Sequence, residues 1–236
     1  MDPKQEVRER VWARMREAGV ARFPGARGRI PNFTGAERAA ELLAEQPEWR
    51  SAMALKSNPD SPQWPVRTRA LRDDKVVFIA TPKLAEDPPF LMLEPARLEV
   101  AARAAASIKG SAHHGIPVGF DEMPHVDLIV CGTVAVGRNG ARVGKGGGFS
   151  DLEFALGVEH GVIDDDTAIA TTVHPLQVLD EELPETAHDF RVDVIVTPEG
   201  AERPGRGRRP SGIRWEDLDE DKIAEIPILS RLRRRV

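Results

Sequence analysis

Apolar residues recur along this chain with two different periods. Near the start, Val7, Val11, Met15 and Ala18 return every three or four positions, which predicts a helix over residues 3–18, opened by Pro3 and stopped by Gly19. An Arg-, Gly- and Pro-rich loop over 23–33 follows. Ala39, Leu42 and Leu43 then predict a second helix from Thr34, where Thr34 and Glu37 have the spacing of a capping box. Residues 56–63 are dense in turn formers and read as loop.

From residue 75 the pattern switches to short continuous runs: Val76-Val77-Phe78-Ile79-Ala80, Val126-Asp127-Leu128-Ile129-Val130, Ala168-Ile169-Ala170-Thr171-Thr172-Val173 and Val192-Asp193-Val194-Ile195-Val196. Strands buried on both faces look like this. Helical patterns over 96–107 and 150–159 lie between them. Strand alternating with helix predicts a three-layer α/β/α domain with a mainly parallel central sheet, Rossmann-like in plan. The expected domain covers residues 1–201. Residues 202–236 are rich in Arg and Gly and close on Arg231-Leu232-Arg233-Arg234-Arg235-Val236, so a loosely attached tail is expected there, with one short helix over 215–223.

Composition narrows the chemistry. The chain has 236 residues, 41% hydrophobic and 30% charged, which is enough apolar material for a core. A lone Cys131 excludes an internal disulfide, a thiolate zinc cluster and a cysteine-ligated iron–sulfur centre. The absence of Tyr removes every tyrosine nucleophile or acid. A net charge of −5 gives no overall pull toward nucleic acid or an anionic membrane. No apolar run is long enough to span a bilayer, and the charged start Met1-Asp2-Pro3-Lys4-Gln5-Glu6 does not read as a secretory signal. A cytoplasmic monomer acting on a small molecule is therefore expected, without a membrane or nucleic-acid partner.

The densest chemical signal runs from Gly137 to Asp151, between the third-quarter strand and a helix, and contains Gly144-Lys145-Gly146-Gly147-Gly148. Glycines there free backbone amides to wrap an anion, and the helix start adds its positive dipole end. Arg142 and Lys145 supply charge-assisted bonds to phosphate, and Asp151 can cap the helix or hold magnesium. Lys is scarce, seven against 26 Arg, which makes one inside the glycine run informative. The run is not a P-loop, since Lys145 is followed by Gly146, and it lacks the ribose-binding acid of a dinucleotide fingerprint.

In the order of its motifs the chain resembles the 5-formyltetrahydrofolate cyclo-ligase (methenyltetrahydrofolate synthetase) family. That family writes a strand and then a Gly-x-Arg-x-Gly-x-Gly-x-Gly-Tyr-Tyr-Asp stretch, matched by Gly140, Arg142, Gly144, Gly146, Gly148 and Asp151 after Gly132. An N-terminal Lys-x-x-x-Arg is matched by Lys4 and Arg8, and a late Val-Asp by Val192-Asp193. The resemblance implies an ATP- and Mg2+-dependent C–N-forming ligase that converts 5-formyltetrahydrofolate to 5,10-methenyltetrahydrofolate with release of ADP and phosphate. It implies an ATP site of Lys4, Arg8, Arg142, Val143, Gly144, Lys145, Gly146, Gly147, Gly148, Phe149 and Ser150, with Arg142 and Lys145 as the catalytic groups. Magnesium would be held by Asp151 and Asp193.

The substrate half departs from the family. Phe149-Ser150 stands where the family has two tyrosines, and Gly115-Ile116-Pro117-Val118-Gly119 lacks the family's Glu. No acid equivalent to the family's substrate-side Glu occurs in Pro62-Gln63-Trp64-Pro65-Val66-Arg67. The alternatives are accordingly an ATP-binding paralogue acting on another heterocycle, a thiamine-related one among them, or a non-catalytic nucleotide- or RNA-binding protein using the basic tail. Lys56, Asn58 and Asp60 stand either as turn chemistry or as replacement substrate contacts. His174 with Gln177 lies at a strand C-terminus, where α/β sheets place sites, and equally suits a loop-carbonyl bond. His188-Asp189, His113-His114 and Asp164-Asp165-Asp166 carry weaker signals, and none forms a metal set by spacing.

Overall fold

The computed structural model describes residues 2–234; Met1, and Arg235 and Val236 at the end of the basic run, lie outside the described residues. Strands run over Ala54–Ser57 (β1), Val76–Ala80 (β2), Phe90–Leu93 (β3), Ile116–Val118 (β4), Leu128–Cys131 (β5), Ala135–Gly137 (β6), Arg142–Val143 (β7), Ala168–Thr172 (β8), Val178–Leu179 (β9), Val194–Thr197 (β10) and Gly200–Glu202 (β11). Helices run over Pro3–Glu17 (α1), Ala36–Ala44 (α2), Pro47–Ser51 (α3), Trp64–Arg72 (α4), Ala102–Ala105 (α5), Ile108–His114 (α6), Phe149–Glu159 (α7), Glu220–Glu225 (α8) and Pro227–Arg233 (α9).

The main sheet has the order β11-β10-β8-β5-β1-β2-β3-β4. Its middle, from β10 to β2, is parallel, and the edges β11, β3 and β4 are antiparallel. The continuous apolar runs follow from burial on both faces. In β5, Leu128 and Val130 join the cluster under α2 and α4, whereas Ile129 and Cys131 face the cluster under α7, α8 and α9. This is the three-layer α/β plan expected from the strand–helix alternation. A small second sheet, β7-β6-β9, packs with α1 through Val11, Trp12, Met15, Val134 and Ala141.

Several local expectations differ from what is observed. The 96–107 helix is instead a turn, an extended stretch and two short helices, α5 and α6, because the Ser107 hydroxyl accepts from Gly110 N–H and caps a new helix. The Thr34 capping box does not form. The Thr34 hydroxyl bonds the Val20 carbonyl, and α2 starts two residues later, at Ala36 behind Gly35, whose φ of 94° and close approach to Pro198 both demand glycine. Lys56 and Ser57 belong to β1 rather than to a loop, and their polar side chains are buried. The C-terminal segment, expected to be loosely attached, places Ile223, Ile226, Ile228 and Leu229 in the same buried cluster as α7 and the sheet.

Candidate functional site

The C-terminal ends of the parallel strands lie together, and the glycine loop hangs over them. After β5 the chain passes Gly132, turns through β6 and β7, and enters α7 by way of Gly144–Gly148. Gly146, Gly147 and Gly148 take φ of 107°, 83° and 66°, three left-handed residues in succession that only glycine adopts without strain. Among the described residues, Gly144 to Gly148 donate no backbone hydrogen bond, while three of the loop carbonyls are held, that of Gly148 by Leu152 N–H in the first turn of α7 and two by side chains. Arg8 Nε donates to the Gly144 carbonyl at 2.7 Å, and Lys222 Nζ to the Gly147 carbonyl at 2.7 Å. Free amides ahead of a helix start make a concave anion receptor.

Arg142 is buried, with Nη2 on Asp151 at 2.8 Å and Nη1 on the Gly132 carbonyl at 3.3 Å. Its plane lies 4.3 Å over the Phe190 ring. Burial works against its charge, but Asp151 and the other nearby acidic groups outweigh it and hold its pKa above the ordinary value. Arg142 therefore ties β7 and the strand end to the first turn of α7, rather than standing open to solvent as a free phosphate ligand. Val143 is the buried β7 residue beside it. Lys145 is half-exposed and bonds Asp60 at 2.8 Å, which bridges the glycine loop to the segment after β1.

That segment forms the facing wall. Asn58 donates to the Ser150 hydroxyl at 3.2 Å and accepts from Gly132 N–H at 3.0 Å. Lys56 is paired with Glu153 of α7, and both are buried. Beneath them Arg67, only 1% exposed, donates to the carbonyls of Asn58 (2.5 Å), Asp60 (3.2 Å), Pro59 (3.3 Å) and Ala106 (3.0 Å). Burial pushes Arg67 down to about 10, with Asp60 opposing the fall. Sequence reasoning missed Arg67 and Glu153; the available signal for Arg67 was an arginine beside Val66 and Ala70 in an apolar helix stripe. Lys56, Asn58 and Asp60 lie at the loop, so they are more than turn chemistry.

The N-terminal helix completes one side. Lys4 pairs with Asp189 at 2.5 Å, and Arg8 is buried beside the loop. Burial of Asp189 would raise its carboxyl pKa, but bonds from Lys4 and Thr186 hold it below the usual value. His188 lies 3.3 Å from Asp217 and 3.0 Å from the Thr186 hydroxyl, and lines a small cavity with Gly148 and Asp151. Phe149 opens α7 beneath Lys222, whose Nζ is 5.2 Å from the ring centre.

Asp193 is not part of this constellation. It precedes β10, and its Oδ2 accepts from Ile169 N–H at 2.9 Å and from Arg209 at 2.6 Å, at the opposite, N-terminal edge of the strands. A four-residue strand separates the two edges by roughly 13 Å. Its expected role as a magnesium ligand beside Asp151 is thus not supported by its place in the fold. His174 caps a short turn, with Nδ1 accepting from Leu176 N–H, and Gln177 donates to the Thr133 carbonyl at 2.8 Å. Burial lowers the pKa of His174. His113 and His114 pack edge to face on α6, and the Gly115–Gly119 stretch forms β4 at the far edge of the sheet. Among the described residues no three His, Cys, Asp or Glu side chains gather as a metal set, and no helix is long and apolar enough to cross a membrane.

A family model described as the 5-formyltetrahydrofolate cyclo-ligase family matches residues 1–198. A methenyltetrahydrofolate synthase domain-containing protein of Bos taurus is 38% identical over 245 residues, covering 98% of this chain and 62% of that protein. The Homo sapiens protein of the same description is 36% identical over 246 residues, with the same two shares. The chain thus spans about 62% of the length of these curated relatives. The NMR structure of Aquifex aeolicus 5,10-methenyltetrahydrofolate synthetase superposes with a TM-score of 0.51 at 20% identity, covering 87% of this chain and 94% of that one, a likeness of fold.

Proposed function

Since the chain belongs to the 5-formyltetrahydrofolate cyclo-ligase family, a family of ligase enzymes, we propose that it is an ATP-dependent cyclo-ligase closing 5-formyltetrahydrofolate to 5,10-methenyltetrahydrofolate, with ADP and phosphate as the other products. The observation that carries this reading is the glycine loop, with its undonated amides set among Arg8, Lys145 and Lys222. Phosphoryl transfer asks a protein mainly for positioning and charge neutralisation. The loop amides cradle the phosphates, and Lys145 exchanges Asp60 for a phosphate oxygen. Arg8 fixes the loop through the Gly144 carbonyl, and Arg142 acts at one remove by holding α7 through Asp151. Phe149 offers an aromatic plane beside the loop.

Magnesium entering with ATP supplies neutralisation of phosphate charge, and it needs only one or two protein carboxylates besides the phosphates. Asp151 fits that need, with Asp60 as a second carboxylate at the loop; Asp193 does not. The enzyme is taken to be cytoplasmic and monomeric, without a membrane or nucleic-acid partner.

The test is a mixture of protein, Mg-ATP and 5-formyltetrahydrofolate, followed by the near-ultraviolet absorbance of the methenyl product and by ADP release. One ADP per methenyl group is expected. Mg-ATP binding without product would overturn the substrate assignment. That outcome would favour another heterocycle, a reading supported by Ser150, which stands where the resemblance has a tyrosine and is bonded to Asn58.

A further inference from the structure

Four of the seven lysines in the chain, Lys4, Lys56, Lys145 and Lys222, converge on the glycine loop and its flanks. The first three lie within the residues matched by the family model; Lys222 lies beyond them, on α8. The cations differ in how their charge is balanced. Lys4 pairs with Asp189, Arg8 with Asp2, Lys56 with Glu153, Arg142 with Asp151 and Lys145 with Asp60. Among the described residues Lys222 has no carboxylate within ion-pair distance of its ammonium. It bonds only the Gly147 carbonyl, at 2.7 Å, and sits over the face of Phe149. An ammonium has three N–H donors, so this leaves two for another acceptor.

Its position is fixed rather than casual. Asp219 caps α8 by accepting from Lys222 N–H at 2.6 Å, and the next residue, Ile223, is buried in the core. Ile226, Ile228 and Leu229 follow it inward. The segment from Gly212 to Lys222 lies against Gly148, Asp151, Leu152 and Ala155, with a cavity of about 60 Å³ between them. That volume is far below the roughly 300 Å³ of a ligand pocket, so the segment packs on the loop rather than enclosing a second site.

We propose that Lys222 is a phosphate-binding residue of the nucleotide site, supplied in cis by the segment that follows the family domain. Resting on the reading of the glycine loop as a nucleotide site, it adds that the C-terminal segment is part of that site. An incoming phosphate oxygen takes up the free donors of Lys222 while the Gly147 carbonyl holds the side chain in place. A lysine whose charge is not already neutralised contributes more to anion binding than one that must first leave a carboxylate.

The test is calorimetric titration of the full chain with Mg-ATP and, separately, with inorganic tripolyphosphate, for wild type, K222M, K222R and K145M. Methionine keeps the apolar stem over Phe149. Wild type should bind both probes, K222M should weaken both about tenfold or more, and K222R should recover most of the loss. No binding by wild type would remove the nucleotide reading itself. Binding by wild type that K145M weakens and K222M leaves unchanged would overturn the role of Lys222 alone. Tighter binding by K222M would also overturn it, because the lysine would then be competing with the ligand for the loop. Loss of ATP affinity with tripolyphosphate affinity intact would place Lys222 on the base and overturn the phosphate contact. Should K222M fail to fold, acetylation of Lys222 in wild type, read by mass spectrometry, decides the matter: Mg-ATP should slow it several-fold, and an unchanged rate refutes the contact.

Discussion

Replacing Arg67 by Met should cost far more than an ordinary substitution of a polar residue in a helix. The guanidinium is buried and holds four carbonyls, three of them in the Asn58–Asp60 segment that faces the glycine loop. Burial, offset only in part by Asp60, takes its pKa from 12.5 to about 10. At about 1.36 kcal/mol per pKa unit, that corresponds to roughly 3 kcal/mol against keeping the charge, so the four bonds must return more than this. Methionine fills similar length but leaves the Ala106 carbonyl buried without its donor and the Asn58 carbonyl with only the long 3.4 Å bond from the Ser57 hydroxyl. At roughly 1–3 kcal/mol for each unsatisfied buried group, and with the 59–60 carbonyls rehydrated, the expected loss is about 3–5 kcal/mol. For a domain of this size the melting temperature should fall on the order of 10 °C. Urea unfolding followed by tryptophan fluorescence measures the loss, with an unchanged slope confirming that stability rather than compactness changed. R67K, a point charge in place of a planar fork, should restore less than half. A loss under about 1 kcal/mol for R67M at unchanged slope would refute the reasoning, because the segment would then hold its shape without the arginine.

Two further predictions separate the parts of the site from its supports. D151N and D193N should behave differently: D151N should weaken Mg-ATP binding, while D193N should lower stability by about 1–3 kcal/mol through the loss of its Arg209 and Ile169 bonds and leave nucleotide affinity unchanged. Titration showing equal loss of affinity in both would return Asp193 to the site. His125 bonds Asp164 at 2.9 Å and Asp127 at 3.4 Å, and the Asp164 bond above all, against burial, raises its pKa above 6.5. A raised folded-state pKa gives stability that is full below about pH 6.5 and fades as pH rises through the folded value. The melting-temperature gap between wild type and H125Q should therefore be wider at about pH 5.5 than at about pH 8.5, and equal gaps would sink the assignment.

What the sequence made legible depended on how completely each residue's environment was local. β2, β5, β8 and β10 were readable because strands covered on both faces must be apolar throughout. The glycine loop was readable because three left-handed positions in a row admit no other residue. β1 was hidden: Lys56 and Ser57 look like loop, and only Glu153, nearly a hundred residues on, makes a buried lysine tolerable there. The same holds for Arg67, whose acceptors are backbone carbonyls with no signature in the sequence. The C-terminal segment misled through its arginines, which mask Ile223, Ile226, Ile228 and Leu229. Its charges face outward, with Arg231 on Asp87 and Arg233 near Glu220, so a basic composition coexists with a docked apolar face.

Asp193 shows why a motif can be read correctly in order and misread in role. The pattern Val-Asp-x-Ile-Val occurs twice, at Val126-Asp127 before β5 and Val192-Asp193 before β10. In each case the aspartate accepts from backbone N–H groups at the start of the neighbouring strand: Asp127 from Met53 and Ala54 at 2.8 Å, Asp193 from Ile169 at 2.9 Å. A parallel strand start leaves an amide that its neighbour's ladder has not yet reached, and a carboxylate one residue before the next strand supplies the acceptor. Those bonds hold the Asp127 carboxyl below its usual pKa despite burial. The two aspartates therefore fix register at the N-terminal edge of the sheet, while Asp60 and Asp151 stand at the glycine loop, past the opposite edge. Register set at one edge is what pairs Ser57 with Val130 and Cys131 with Thr171 toward the other, the end from which the chain leaves for the glycine loop. A Val-Asp pair before a core strand is thus evidence for the sheet that carries the site, and the site's own carboxylates are found by following those strands to their other end.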